Sequence, residues 1–113
     1  MKTPREQAAD LSTPREKLVE LASHPGLWIR FEVGKNPNTP VEVLQKLAND
    51  EEDPVRQVVA WNLKTPLDTL YLLSQDTGSA MVQREARNNP KWKVANEDPV
   101  FRAKLNLVEK WLL

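Results

Sequence analysis

The apolar side chains of this chain fall into a pattern that returns at a fixed interval. Leu18, Leu21 and Ala22 stand at i, i+3 and i+4, and the same spacing recurs at Leu44, Leu47 and Ala48 and at Leu70, Leu73 and Ser74. Residues three and four apart share one face of an α-helix, so each triplet predicts a short helix with one inward stripe. A second element follows each triplet, beginning at Ile29, Val55 and Val82, with Ile29, Val33, Val55 and Val59 as its core positions. The links His24-Pro25-Gly26, Asp50-Glu51-Glu52-Asp53-Pro54 and Asp76-Thr77-Gly78-Ser79 are rich in turn formers. The pattern therefore predicts pairs of short helices that hide their stripes against one another.

The helix starts share the same interval. Thr13-Pro14, Thr39-Pro40 and Thr65-Pro66 are each 26 residues apart. The first turn of a helix has backbone amides without partners. Thr39 is expected to cap them with its hydroxyl, Pro40 to take the first helical position, and Glu42 to close a capping box. Each second element ends on an asparagine, Asn36, Asn62 or Asn89, and an Asn-Pro exit pushes the chain out of helical geometry. Pro90 lies one residue beyond two full periods from Pro37, which places a single inserted residue in the Gly78 turn. A fixed period of this length means a repeat array.

The array divides into repeats over residues 12–37, 38–63 and 64–90. Residues 3–11 are expected to form an N-terminal cap helix with a polar outer face. Residues 91–113 read as a degenerate repeat with a C-terminal cap helix. In that last unit Asp98-Pro99-Val100 echoes Asp53-Pro54-Val55 early, which predicts a first helix short by about two turns. Phe101, Leu105, Val108 and Leu112 form one stripe with Trp111 beside it, as a lid or as a dimer contact.

Composition narrows the chemistry. The 113 residues amount to one domain. Sixteen basic and sixteen acidic residues balance, which disfavours nucleic acid or an anionic membrane as the main partner. Cysteine is absent and histidine occurs once, which removes disulfides, thiolate chemistry and the common zinc motifs, and leaves no metal or cofactor expected. No signal-like or membrane-spanning apolar run is present, so the cytoplasm is the expected compartment and no membrane is expected. No phosphate-cradling glycine loop, nucleophile elbow or catalytic carboxylate cluster appears, and no catalytic residue is assigned.

The spacing Asn-Pro-x-Thr-Pro, Val-Leu, Leu-Ala and Asp-x-x-Val-Arg-x-x-Val-Ala-x-Asn resembles the leucine-rich repeat variant family and, more distantly, HEAT and armadillo solenoids. The resemblance covers roughly residues 12–92 and is strongest from Asn36 to Pro66. It implies an all-α fold, a short right-handed α/α superhelix of about three helix-pair repeats with terminal capping helices. It also implies a protein-binding scaffold rather than an enzyme. The period is somewhat longer than is usual in that family, which favours a full α-helix in each second element. The iron–sulfur module of some family members is excluded by the lack of cysteine.

In related solenoids an arginine at the position of Arg30 and Arg56 ties to an acidic turn residue, here Asp50 or Asp53, while Gln83 interrupts the series. His24, in a Pro-Gly turn, is read as structural. The acidic turn Asp50–Asp53 is read as a solvated helix start rather than a calcium loop. Glu32 and Glu85 share a position at the border of the core. If second helices line the concave face, as in similar solenoids, then Phe31, Lys35, Gln57, Trp61, Arg84 and Asn88 form a candidate partner-binding face. The expected function is a protein or peptide interaction module, as a monomer or a weak dimer through the C-terminal helix. The alternatives are a nucleic-acid-binding or DNA-repair module of HEAT type, or a purely structural subunit.

Overall fold

The computed structural model describes residues 1–104 of the chain. Its helices, in order, are α1 (Pro4–Ala9), α2 (Arg15–Leu21), α3 (Leu27–Lys35), α4 (Val41–Leu47), α5 (Asp53–Trp61), α6 (Leu67–Ser74), α7 (Ala80–Asn88) and α8 (Pro90–Asn96). A further helical stretch, α9, is described over residues 99–104, and no strand occurs among the described residues. The chain is thus an all-α helical-repeat array, with α2–α3, α4–α5 and α6–α7 as successive pairs and dimensions of 51 × 24 × 18 Å. The second elements are full α-helices of nine residues each.

The predicted inward positions are buried, Ile29 only partly so. Leu18, Leu44 and Leu70 have no exposed surface, and Leu21, Leu47 and Leu73 have almost none. One contiguous apolar cluster runs from Ala8 through Val33, Leu44, Val59 and Leu70 to Trp92. No single pair could make such a core, because each helix has only one apolar side. Burial requires the next repeat.

The two layers of the array are spaced differently. Successive second helices, α3 on α5 and α5 on α7, pack along their length, whereas α2, α4 and α6 scarcely approach one another. An array with one tight layer curves toward it, so α3, α5 and α7 line the inner side. Gly34 shows how tight that layer is: a Cβ there would stand 2.8 Å from Cγ1 of Val58. On the outer side an open groove separates α2 from α4, bridged by Arg15 donating to Glu42 at 3.0 Å and Lys46 to the hydroxyl of Ser23 at 2.5 Å.

The structure corrects three local expectations. Thr39 is not the cap of α4: its hydroxyl donates to the carbonyl of Val33 at 2.6 Å, and Pro40 occupies the N-cap position with no side-chain cap. Thr13 and Thr65 do the same with Gln7 and Val59. Among the described residues the capping box forms only at Thr3, which accepts from Glu6 and whose amide is met in turn by the Glu6 carboxylate. The difference is burial. Thr39 and Thr65 are buried at the end of the preceding helix, where the Val33 and Val59 carbonyls take the hydroxyl beside a backbone amide, while Thr3 is exposed.

The second concerns how the cap helix α1 sits: it lies in the inner layer against α3 as α3 lies against α5, in the position of a second helix, with Ala8 as its buried residue. The third concerns the last unit, where α8 keeps the seven residues of α2 and α4. What is missing is connector: α8 begins directly after Asn89, and only two residues part it from α9. The helix was preserved and the loops were cut. Trp92 lands where Thr39 and Thr65 stand, and closes the core by stacking on Tyr71 at 6.3 Å and meeting Phe101 edge-on at 5.8 Å. The expected stripe through Leu105, Val108 and Leu112, with Trp111, lies outside the described residues.

Candidate functional site

Two side-chain ladders hold the inner helices in register. Helix ends leave carbonyls without intrahelical donors. The amide of Asn36 donates to the carbonyls of Ala8 and Asp10 at 2.9 and 3.1 Å. Asn62 repeats this with Gly34 and Asn36, and Asn89 with Ala60 and Asn62. Each Oδ1 also accepts from the backbone amide two residues on. All three asparagines are 3% exposed. Asn62, which is followed by Leu63 rather than proline, makes the same contacts, so the recurring asparagine serves inter-repeat hydrogen bonding and not only the helix stop.

The second ladder is ionic. Arg30 donates Nε and Nη2 to Asp50 at 2.8 and 3.1 Å, and Nη1 to the carbonyls of His24 and Pro25. Arg56 makes the equivalent set with Asp76 and the carbonyl of Asp50, and adds Asp53 at 2.6 Å. The hydrogen bond to Asp50, and for Arg56 to Asp76, holds each guanidinium pKa above its usual value, against the opposing effect of burial. Each arginine therefore ties its own turn to the next. Gln83 keeps the local half of this arrangement, donating to the carbonyl of Asp76, but has no carboxylate ahead among the described residues. The inserted residue falls between Asp76 and Gln83, where the Gly78 turn was expected to hold it.

His24 takes its place in the same turn series. Its Nδ1 accepts from the amide of Gly26 at 2.9 Å, as Oδ1 of Asp50 accepts from Glu52 and that of Asp76 from Gly78. The acidic turn at Asp50 and Asp53 is engaged by Arg30 and Arg56. Among the described residues no group of three or more histidines and carboxylates is placed to hold a metal ion.

The candidate face is distinct from these ladders. Phe31, Lys35, Gln57 and Trp61 line one shallow groove of about 260 Å³, together with Val58 and Glu85. Trp61 is 53% exposed, a large surface for the largest apolar side chain. Lys35 is exposed, whereas Phe31 is half-buried and packs on the core, with Trp28 edge-on to it at 5.4 Å. Two further grooves adjoin at Trp61. Toward α7, Trp61, Leu63, Glu85, Asn88 and Pro90 enclose about 310 Å³; toward α1, Leu11, Glu32, Lys35 and Pro37 meet Trp61 around about 230 Å³. Five of the six expected residues thus join one surface. Arg84 is exposed but lines none of these grooves.

Sequence reasoning missed the apolar rim and one carboxylate. Leu11, Pro37, Leu63 and Pro90 each follow the last residue of the inner-helix unit, Asp10 or one of the asparagines, and Leu11 and Leu63 are 65% and 66% exposed. The signal was the repeat register itself. Glu85 is half-buried at the border of the core, as expected, and lines both the groove that holds Gln57 and the one that holds Asn88.

A scan against family models, curated proteins and solved structures finds no match. The helical-repeat architecture therefore rests on the contacts described above. No helix among the described residues is long and apolar enough to cross a membrane.

Proposed function

We propose that the chain is a non-enzymatic interaction module of the leucine-rich repeat variant kind, whose inner helices receive a peptide or a protein segment around Trp61. The supporting observation is the half-exposed indole at the junction of three adjoining grooves, set on a helix held from both sides by buried asparagines. A rigid aromatic on a pre-organised surface loses little freedom on binding, which is why such residues dominate binding energies. The grooves are shallow and open, suited to an extended segment crossing several helices rather than to an enclosed small molecule.

Selection of peptides from a displayed random library, followed by measurement of each peptide against Trp61→Ala, tests the reading. Peptides that bind the native protein and lose roughly tenfold or more with Trp61→Ala support it. If every selected peptide binds both forms equally, the inner face is not the site.

A further inference from the structure

Glu85 is a half-buried carboxylate with neither a hydrogen bond nor an ion pair among the described residues. The repeat shows what a glutamate at this position meets elsewhere. Glu32, its counterpart on α3, faces Arg5 on α1 at 3.7 Å, and the same guanidinium lies 5.9 Å from the ring centre of Trp28. Counting back from Asp10 and from Asn62, the residue of α5 in the place of Arg5 is Gln57. Gln57 and Glu85 line one groove, but the amide carries no charge to match the carboxylate. On the far side of Trp61, the groove toward Pro90 has Glu85 as its one charged lining residue, with Trp61 as its aromatic wall and Asn88 beside it.

An anionic lining next to an exposed indole suits a cation, since the ring face attracts positive charge and the carboxylate accepts its hydrogen bonds. A planar guanidinium satisfies both at once, as Arg5 does between Trp28 and Glu32 within this chain. We propose that the Trp61–Glu85 groove binds an arginine side chain of a peptide partner, offering it the two kinds of group, an indole and a carboxylate, that Arg5 meets on α3. The inference rests on the peptide-binding reading above and names the chemistry of its anchor. Lys35 lies on the α3 side of Trp61 and lines the other groove, so the arginine enters from the α7 side.

The test is a nuclear magnetic resonance titration of the full chain with N-acetyl-arginine amide, using N-acetyl-citrulline amide as the uncharged isostere and N-acetyl-glutamate amide as the anionic control. The arginine probe shifts the Trp61 indole and Asn88 side-chain resonances saturably, and citrulline amide leaves them in place. Glu85→Gln weakens the response about tenfold while the rest of the spectrum is unchanged, because Glu85 bonds to no other described residue. Gln57→Arg supplies the missing guanidinium from within, and lowers arginine binding without loss of fold. Equal shifts with citrulline, an undiminished response in Glu85→Gln, or stronger shifts with the glutamate probe each overturn the proposal. Failure here is separable from failure of the wider reading: library peptides that need Trp61 but carry no arginine and ignore Glu85→Gln leave the peptide-binding face standing.

Discussion

The side-chain amide of Asn62 donates to the backbone carbonyl of Gly34, 28 residues earlier, at 2.9 Å. The same nitrogen reaches the carbonyl of Asn36 at 3.3 Å, so one buried residue of one repeat completes the helix end of the repeat before it. Replacing Asn62 by alanine removes the side-chain partner of the Gly34 carbonyl and of the Lys64 amide, and leaves the Asn36 carbonyl with the Thr39 amide alone, at a side chain 3% exposed. The expected cost is about 2–4 kcal/mol, seen in urea unfolding as a lower midpoint. An Asn62→Ala protein as stable as the native one removes the asparagine ladder from the account.

Gly34 also sets the approach of α3 to α5. A Cβ there would lie 2.8 Å from Val58, tighter than packed carbon atoms accept. Gly34→Ala is expected to cost about 1–3 kcal/mol despite the better helix propensity of alanine. Adding Val58→Ala removes the obstructing methyl, and the double variant recovers part of that loss, read as a non-additive term in a double-mutant cycle. Strict additivity contradicts the close contact.

Arg56 links two turns through Asp76, Asp53 and the carbonyl of Asp50. Arg56→Gln copies what Gln83 does one repeat later, keeping the local carbonyl contact and losing Asp76. The expected loss is about 1–3 kcal/mol, because Asp76 keeps only a tenth of its side-chain surface exposed and would lose its cation. The pKa of Arg56 is raised by the fold, so its contribution is complete at every pH below the ordinary guanidinium range and fades only in strong alkali. The stability difference between native and Arg56→Gln therefore stays constant from neutral to mildly alkaline pH in urea melts. A difference that shrinks over that interval contradicts the assignment.

Trp92 and Trp61 have opposite surroundings. Trp92 is 8% exposed between Tyr71 and Phe101, and Trp61 is 53% exposed. Trp92→Ala opens a cavity at the end of the core and is expected to cost about 3–5 kcal/mol. Trp61→Ala is expected to cost less than about 1 kcal/mol and to change binding instead. Thermal melts of the two variants, side by side, check the contrast; equal destabilisation would falsify the assignment of Trp61 to a free surface.

Much of this was legible because the repeat gives each position three readings. The burial of Leu18, Leu44 and Leu70 follows from their common place in a 26-residue period, and the arginine series was visible at Arg30 and Arg56. Thr39 shows where such reasoning fails. A threonine before proline carries the local grammar of a helix cap, yet the hydroxyl goes to Val33, whose carbonyl at the buried end of the previous helix takes it as a second donor beside the Asn36 amide. Glu85 was hidden for a similar reason: its exposure depends on what stands across from it on α5, and Gln57 lies 28 positions away in the chain.

The sequence by itself determined the helical class, the period, and which face of each helix is buried, since these depend on side-chain spacing within a few residues. The tertiary structure alone decided which hydrogen-bond partner each asparagine and threonine takes, that α1 joins the inner layer, and that Trp61 and Glu85 share a groove. Apart from the threonine bonds, which span six residues, those relations link residues about one repeat apart, and their energies depend on how closely α3, α5 and α7 approach, a distance that no local pattern encodes.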